Sequence, residues 1–516
     1  MQMIYGSLMM VVEEPNQFEN TLEAAKTSHH RIFYVTRVEN DYDSIVDTKV
    51  NVPKQTELTH IQLFVYSIGH FYNDLCASLW FNYLVLYLKK VVLLSNSQIG
   101  LLMLIGQLTD ALCTPIIGLL SDASILPHCL MKLGRRKFWY VVGTIGVSLS
   151  FPFIFFDCFV EDRGFLRTLW FIGFAVVFQS SWSSVQIAHL VLISELSTNE
   201  QTRSSMYFYR TTFGFVANIA VFISLFCLLR THEDNQVVNP KDLRYFQEVA
   251  IGVCVVGILI SFVFCLLVKE PKRLEADRRC SITSKMSNIV EMSWRSWFTQ
   301  YNFYLIALIY MLCRLYSNLS QVYFPMYVTT RKMSKSNVAA LPMISYLSSF
   351  AVSCIMGRTW VDKRLNRKLL YGVGAFLAVN TSILFYFTID SLTIYAIAFL
   401  IGTTQSILLI SSLSITSRLI NHNTEIGAFV YGTMSFLDKL ANGIAVQLIE
   451  LISPSCTEQI ASADCFLFYQ RVLTFVPLTC AVLVFLLTLF VNLDELGLSC
   501  KRINNREHRF WLCCRS

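Results

Sequence analysis

Charge is scarce in this chain. Asp, Glu, Lys and Arg make up 15% of its 516 residues, against about 25% in soluble globular domains. Hydrophobic residues make up 54%, mean hydropathy is +0.50, and long apolar runs recur along the sequence. A soluble protein is excluded and a polytopic membrane protein is implied. The net charge of +7 does not argue for nucleic acid, because the basic residues sit in short loops between apolar runs. No Cys-x-x-Cys spacing marks a zinc site. No nucleophile–base motif or phosphate-cradling loop marks an enzyme, and no cofactor is expected. The start, MQMIYGSLMMVVEEP, lacks the basic residues and apolar core of a signal peptide, so none is expected.

Most of the 16 cysteines lie inside apolar runs, where they behave as small hydrophobes. Cys456 and Cys465 share one polar loop and are candidates for a lumenal disulfide. Residues 1–58 are polar and mixed in charge, which reads as a cytosolic tail. Within it, Tyr5-Gly-Ser-Leu8 and Tyr42-Asp-Ser-Ile45 match a tyrosine sorting pattern, but four-residue matches arise readily by chance.

Twelve helical spans follow, near 60–88, 97–120, 138–157, 169–195, 205–229, 246–268, 301–328, 337–357, 369–388, 391–419, 427–450 and 468–492. The fold class is therefore an all-α membrane protein. Two six-helix bundles, 59–268 and 301–495, are separated by a charged loop, 269–300, and followed by a tail, 496–516. Basic residues cluster after span two (Lys132, Arg135, Arg136, Lys137), after span six (Lys269 to Arg295) and after span eight (Arg358, Lys363, Arg364, Arg367, Lys368). That bias places both termini and the central loop in the cytosol. The basic loop from Arg331 to Lys335 runs against it.

The halves repeat. Gly118, Asp122 and Gly134-Arg135-Arg136-Lys137 after span two are echoed loosely by Gly357, Asp362 and Arg367-Lys368 after span eight. Ala217-Asn218 returns as Ala441-Asn442, and Tyr83 and Tyr87 return as Tyr323 and Tyr327. Six-helix repeats with a site at their interface describe a rocker-type secondary transporter.

Four charges, Asp74, Asp110, Arg314 and Lys439, fall about a dozen residues into their spans. Each costs about 2.5–3.5 kcal/mol on insertion scales, so they should face a cavity and pair. The bland reading makes them salt bridges that clasp one conformational state. The sharper one sets Asp74 and Arg314, which coincide under the repeat, on opposite walls of one cavity. There Arg314 would hold an α-carboxylate through two parallel bonds and Asp74 an α-ammonium. Asp110 and Lys439 then read as a coupling pair. His189 reads either as a proton relay or as an ordinary hydrogen-bonded buried histidine. Glu195, Arg203 and Arg210 read as gate or hinge contacts.

The two hinges, Gly then Asp then a basic cluster, resemble the loop signature of the major facilitator superfamily. Asp110-Ala-Leu-Cys-Thr114-Pro115 resembles the Asp-x-x-x-Asp-Pro of its cation:sugar (melibiose-carrier-like) symporters, with Thr114 in place of the second Asp. Asp74 and Lys439 match an Asp and a Lys of that branch, while Gln186 stands where it has an Asp. Thr114 removes one anionic ligand and puts a sodium site in doubt, since a hard cation takes several oxygens, and Gln186 is a departure from sugar chemistry. A narrower resemblance is carried by Gly69-His-Phe-Tyr-Asn73-Asp74-Leu-Cys-Ala-Ser-Leu-Trp80, Ser150-Phe-Pro-Phe-Ile-Phe155 and the stretch from Gly427 through Asp438 and Lys439 to Gly443. These are similar to animal superfamily members of lysosomes and melanosomes required for cysteine import.

The resemblance implies a transporter of cysteine, or a similar zwitterion, into an acidic organelle, with a proton as the possible coupling ion and a monomer as the expected state. Substrate contacts are expected from Asp74, Arg314, Asn73, Gln186, Tyr83 and Tyr323. Coupling or gating is expected from Asp110, Thr114, Lys439, Asp438, His189, Asp122, Arg135, Arg136, Asp362 and Arg367. A cation-coupled sugar or lysolipid symporter and a non-transporting receptor or scaffold remain as alternatives.

Overall fold

The computed structural model describes residues 59–122, 133–156, 164–197, 200–231, 238–270, 297–331, 333–356, 367–387, 390–420, 424–454, 462–491, 499–505 and 508–514. Inside a bilayer every backbone N–H and C=O needs an internal partner, which leaves continuous helix as the answer for long apolar runs. Twelve helical passages appear where the sequence expects them. The first is broken. Helix α1 (His60–Ile68) starts on a capping box between Thr59 and Gln62 and stops at Gly69. Helix α2 (Phe71–Leu86) resumes after His70 and widens into a π turn, Tyr87–Val91.

The first bundle continues with α3 (Asn96–Asp122), α4 (Arg135–Ile154), α5 (Phe165–Leu196), α6 (Glu200–Thr231) and α7 (Leu243–Leu267). The second comprises α8 (Tyr301–Thr330), α9 (Asn337–Met356), α10 (Arg367–Phe387), α11 (Ser391–Ile420), α12 (Thr424–Ile452) and α13 (Ser462–Phe490). An antiparallel hairpin, β1 (Ser499–Asn505) with β2 (His508–Cys514), follows in the C-terminal tail. Helix α13 begins ahead of its expected start, with Asp464 in its first turn, where a carboxylate suits the helix dipole. Cys465 therefore lies in a helix and not in a loop. It is disulfide-bonded, and Cys456 lies outside the described residues.

Among the described residues the bundles meet most extensively where α2 lies against α8, α3 against α12, and α6 against α9. The outward faces carry exposed leucine, isoleucine and phenylalanine, such as Leu259, Phe262 and Leu266 on α7. These are the lipid-facing stripes of helices whose polar residues point inward. The repeat is visible in bonding as well. Asn218 on α6 and Asn442 on α12 each donate to the carbonyl four residues back, at 2.7 and 2.9 Å.

The Gly134-Arg-Arg-Lys hinge now has a physical reading. Gly134 stands at φ +101°, ψ 143°, a conformation essentially confined to glycine, and a Cβ there would strike the Glu270 side chain. Glu270 accepts the backbone N–H groups of Arg136 and Lys137 at 2.9 and 3.0 Å, so a carboxylate caps the start of α4. Burial pushes its carboxyl up, and these backbone donors pull it back. Lys137 reaches the carbonyls of Cys265 and Val268 at the end of α7, both at 2.7 Å. Arg135 and Arg136 bond Glu195 at the end of α5, at 3.1 and 2.8 Å. The motif thus ties three helix ends of one bundle together.

The opposite end is held differently, by buried ion pairs that cross between bundles. Lys89 bonds Glu450 at 2.8 Å and Ser453 at 2.6 Å. Lys335 bonds Asp242 at 2.9 Å. Arg331 packs over the rings of Tyr327 and Phe466. The basic loop that offended the charge bias is therefore spent on contacts inside the protein.

Gly134→Ala should lower the thermal unfolding temperature of detergent-purified protein, the strain alone being about 1–3 kcal/mol. Gly173→Ala, where an added Cβ meets nothing within 4 Å, should leave it unchanged or slightly raised. Equal effects would contradict the hinge account.

Candidate functional site

Helix α12 carries an acid and a base in succession, and they point to different neighbours. Lys439 meets Asp110 of α3 at 2.7 Å, across the bundle interface, with both side chains at 2% exposure or less. Asp438 turns instead to Arg314 of α8, in its own bundle, at 3.1 Å. The result is a neutral row of four buried charges, Asp110, Lys439, Asp438 and Arg314.

Each member is further tied. One Asp110 oxygen takes hydrogen bonds from Ser183 at 2.8 Å and Thr114 at 3.2 Å, besides the Lys439 contact. Lys439 also donates to Thr114 at 3.2 Å and lies 6.0 Å from the centre of the Trp182 ring. Thr114 bonds both partners of the ion pair. Asp438 accepts from Asn318 at 3.2 Å and Asn442 at 2.6 Å. Arg314 spends its Nε on Asp438, while its Nη2 is buried without a partner. Helices α3 and α12 approach closely enough that a Cβ on Gly100 would sit 3.0 Å from the Gln447 Cα.

A second polar cluster lies in the first bundle, at the break between α1 and α2. His70 bonds Asp74 at 3.0 Å, both fully buried. His189 on α5 stacks on Tyr66, accepts or donates at the Tyr66 hydroxyl at 3.2 Å, and meets the Tyr66 carbonyl at 2.9 Å. Arg210 of α6, 1% exposed, lies within electrostatic reach of Tyr66, His70, Asp74 and His189.

Asp74 and Arg314, expected to face one another, thus each have a partner of their own. Asp74 is met by His70 and Arg210, and Arg314 by Asp438. Asn73 locks α2 to α5 through reciprocal bonds with Trp182, at 3.0 and 3.3 Å. Gln186 is buried with both amide atoms unpartnered. Tyr83 donates to the Val338 carbonyl of the second bundle at 3.4 Å. Tyr323 stacks on Tyr469 and neighbours Glu450, at the clasp end. Arg210 lies with the buried cluster and not at a gate. The side chains of Asp122 and Arg367, and the whole of Asp362, lie outside the described residues.

Sequence reasoning assigns no site role to His70, Tyr66, Asn318 or Asn442. A signal exists for His70 and Asn442: each stands four residues from a midspan carboxylate, the helical spacing at which side chains meet. Asn318 presents in the sequence only as a glycosylation sequon inside a span. In the structure it is buried and bonded to Asp438.

With α12 set against both bundles in this way, likenesses to known proteins can be placed on the geometry. The family model described as MFS/sugar transport protein matches residues 65–495. Major facilitator superfamily domain-containing protein 12 of Equus caballus is 37% identical over 426 residues, 79% of this chain and 88% of that protein. Its Homo sapiens counterpart is 36% identical over 438 residues, 81% and 90% of the two chains. Among solved structures, the inward-open xylose transporter XylE of E. coli superposes with a TM-score of 0.58 at 12% identity, covering 83% of this chain and 94% of that one. That last likeness speaks for the fold alone. The family match and the two long relatives carry the assignment: the chain belongs to the major facilitator superfamily of membrane transporters, within its MFS/sugar transport family.

Proposed function

We propose that this chain is a secondary transporter of cysteine, or a closely similar zwitterion, across a lysosomal or related organelle membrane, into the lumen, by alternating access. The observation that carries the reading is the neutral row of buried charges at the bundle interface, with one Arg314 donor left over. A guanidinium already held in place by Asp438 presents a preoriented N–H to a solute carboxylate. Asp74, on the facing bundle and hydrogen-bonded to His70, is the acidic group assigned here to an α-ammonium. Cysteine in particular rests on the resemblance of the Gly69–Trp80, Ser150–Phe155 and Gly427–Gly443 stretches to superfamily members required for cysteine import.

The ion-pair geometry also bears on coupling. A sodium ion would need the oxygens of Asp110 and Thr114, and the Lys439 ammonium is already bonded to both. A proton is the better candidate for coupling. The hinge end, with its basic loops, faces the cytosol in this reading. The clasp of Lys89, Glu450, Lys335 and Asp242 closes the lumenal side.

A second reading keeps a neutral polar solute such as a sugar. Gln186, buried with both amide atoms unpartnered, offers the donor and acceptor that a hydroxyl takes.

Isolated lysosome-rich organelles should take up labelled L-cysteine when this chain is present and not when it is removed. Arg314→Gln should reduce uptake roughly tenfold or more, the scale of a lost charged hydrogen bond. Absence of cysteine uptake, with sugar uptake that Arg314→Gln leaves unchanged, would favour the second reading. Replacing sodium by choline should leave transport intact, whereas collapsing the pH gradient or introducing Asp110→Asn should abolish it. A strict sodium requirement would overturn the assignment of Asp110 and Lys439.

A further inference from the structure

Three of the 16 cysteines, Cys500, Cys513 and Cys514, stand in the tail that follows α13. That tail is basic and aromatic as well. From residue 499 on it holds Lys501, Arg502, Arg506, Arg509 and Arg515 against the acid Glu507 alone, and Phe510-Trp511-Leu512 runs directly into Cys513.

The hairpin gathers the cysteines at one place. Strands β1 and β2 pair with Cys500 opposite Cys513 and Ser499 opposite Cys514, while Asn505 opposite His508 marks the other end of the ladder. All three cysteines therefore sit in the two pairs at the open end of the hairpin, the end that leads back to α13. Helix α13 stops at Phe490 and β1 starts at Ser499. An extended chain covers at most about 3.3–3.6 Å per residue, so Cys500 stands within roughly 35 Å of the end of a membrane-spanning helix.

The direction of the helices gives the side of the membrane. Helix α7 is the sixth passage and α13 the twelfth, so both run the same way. Helix α7 ends at the Gly134 hinge, where Lys137 takes its last carbonyls. In the orientation proposed above that end is cytosolic, and the inference rests on that orientation, not on the solute carried.

An isolated two-stranded hairpin is marginal in water, and among the described residues no further strand joins this one. A bilayer surface supplies the missing support. The anionic cytosolic leaflet attracts juxtamembrane Lys and Arg at about 1 kcal/mol each, and tryptophan favours the headgroup level. Residues directly opposite in an antiparallel pair have a backbone spacing that suits a disulfide, but a reducing cytosol keeps such cysteines as thiols. Juxtamembrane thiols are acceptors for reversible S-acylation.

We infer that Cys500, Cys513 and Cys514 form an S-acylation site, which takes long-chain fatty acyl groups from an acyl thioester donor and pins the hairpin to the cytosolic leaflet. The cysteine thiolate attacks the carbonyl carbon of the donor. A new S–C bond to the acyl group forms, the donor's own C–S bond breaks, and the departing thiolate takes up the proton that the cysteine gave. No oxidant or reductant enters. One acyl chain alone binds a bilayer marginally, whereas a chain with a polybasic patch binds stably, so the basic residues and the thiols act on the same surface.

The test uses the full-length protein, expressed in cells fed an alkynyl palmitate, purified in detergent and tagged through the alkyne. The wild type should carry label that neutral hydroxylamine removes, since hydroxylamine cleaves thioesters and spares amides. The triple variant Cys500→Ser, Cys513→Ser, Cys514→Ser should lose most of that label. It should keep the wild-type thermal unfolding temperature, because residues 499–514 follow all twelve passages. Cys227 on α6 and Cys354 on α9 are exposed, and Cys227→Ser and Cys354→Ser should each retain the full label. The inference is overturned if the triple variant stays labelled, if the label instead disappears with Cys227→Ser or Cys354→Ser, or if the wild type takes none. It is overturned too if dithiothreitol, and not hydroxylamine, frees the tail thiols, which would make them a disulfide on the oxidising side of the membrane. Label on the tail in a protein that fails to carry cysteine leaves the acylation site standing and removes the transport reading.

Discussion

A charge buried in a membrane bundle is tolerable when an opposite charge and further hydrogen bonds meet it at the same place. That constraint fixes the position of α12. Asp438 and Lys439 are consecutive, so the helical turn between them sends one side chain to α8 and the other to α3. Removing one partner of such a pair leaves an uncompensated buried ion, at a cost of about 3–5 kcal/mol. The helix is thus bonded into its own bundle by Arg314–Asp438 and to the other bundle by Asp110–Lys439.

The difference between those two pairs bears on motion. A pair inside one bundle survives rigid rocking of the repeats, whereas a pair between bundles must stretch or exchange partners when they separate. Asp110–Lys439 is of the second kind, as are Lys89–Glu450 and Lys335–Asp242 at the far end. Arg135 and Arg136 with Glu195 are of the first kind. Under the proposed alternating access, the hinge motif would stiffen one moving body, and the other pairs would be contacts between bodies that part. The extra bond from Lys439 to Thr114 gives the ammonium a second acceptor on α3. In a melibiose-like carrier that position is acidic, and a threonine there can bond the lysine without adding a charge to the row.

The helices are legible in the sequence because apolar length is a strong signal and a bilayer permits few alternatives. The pairing of Asp110 with Lys439 is legible too, since two isolated midspan charges of opposite sign have few other ways to be neutralised. Asp74 and Arg314 are harder. The repeat places them at equivalent positions in the two bundles, but sequence symmetry does not reveal that each has a partner nearby. His70 lies one turn from Asp74, and Asp438 is brought to Arg314 only by the packing of α12 on α8. Such contacts depend on which way a helix is rotated, and two helices of low amphipathicity leave that rotation open to reading. The break at Gly69 and His70 is equally hidden, because the flanking residues are apolar enough to continue a helix.

Among the described residues, ten helices are long and apolar enough to cross a membrane; the passage made by α1 and α2, and helix α12, stand apart from them. The first is divided by Gly69 and His70 into pieces of 9 and 16 residues, and the second carries Asp438, Lys439 and Glu450. These are the passages least suited to lipid, and both candidate clusters are built on them. Lipid would punish that polarity, so each must be surrounded by protein: Asp74, Asp438 and Lys439 are all 2% exposed or less. The polarity therefore places these passages at the centre of the molecule, where a solute crossing between the bundles meets them.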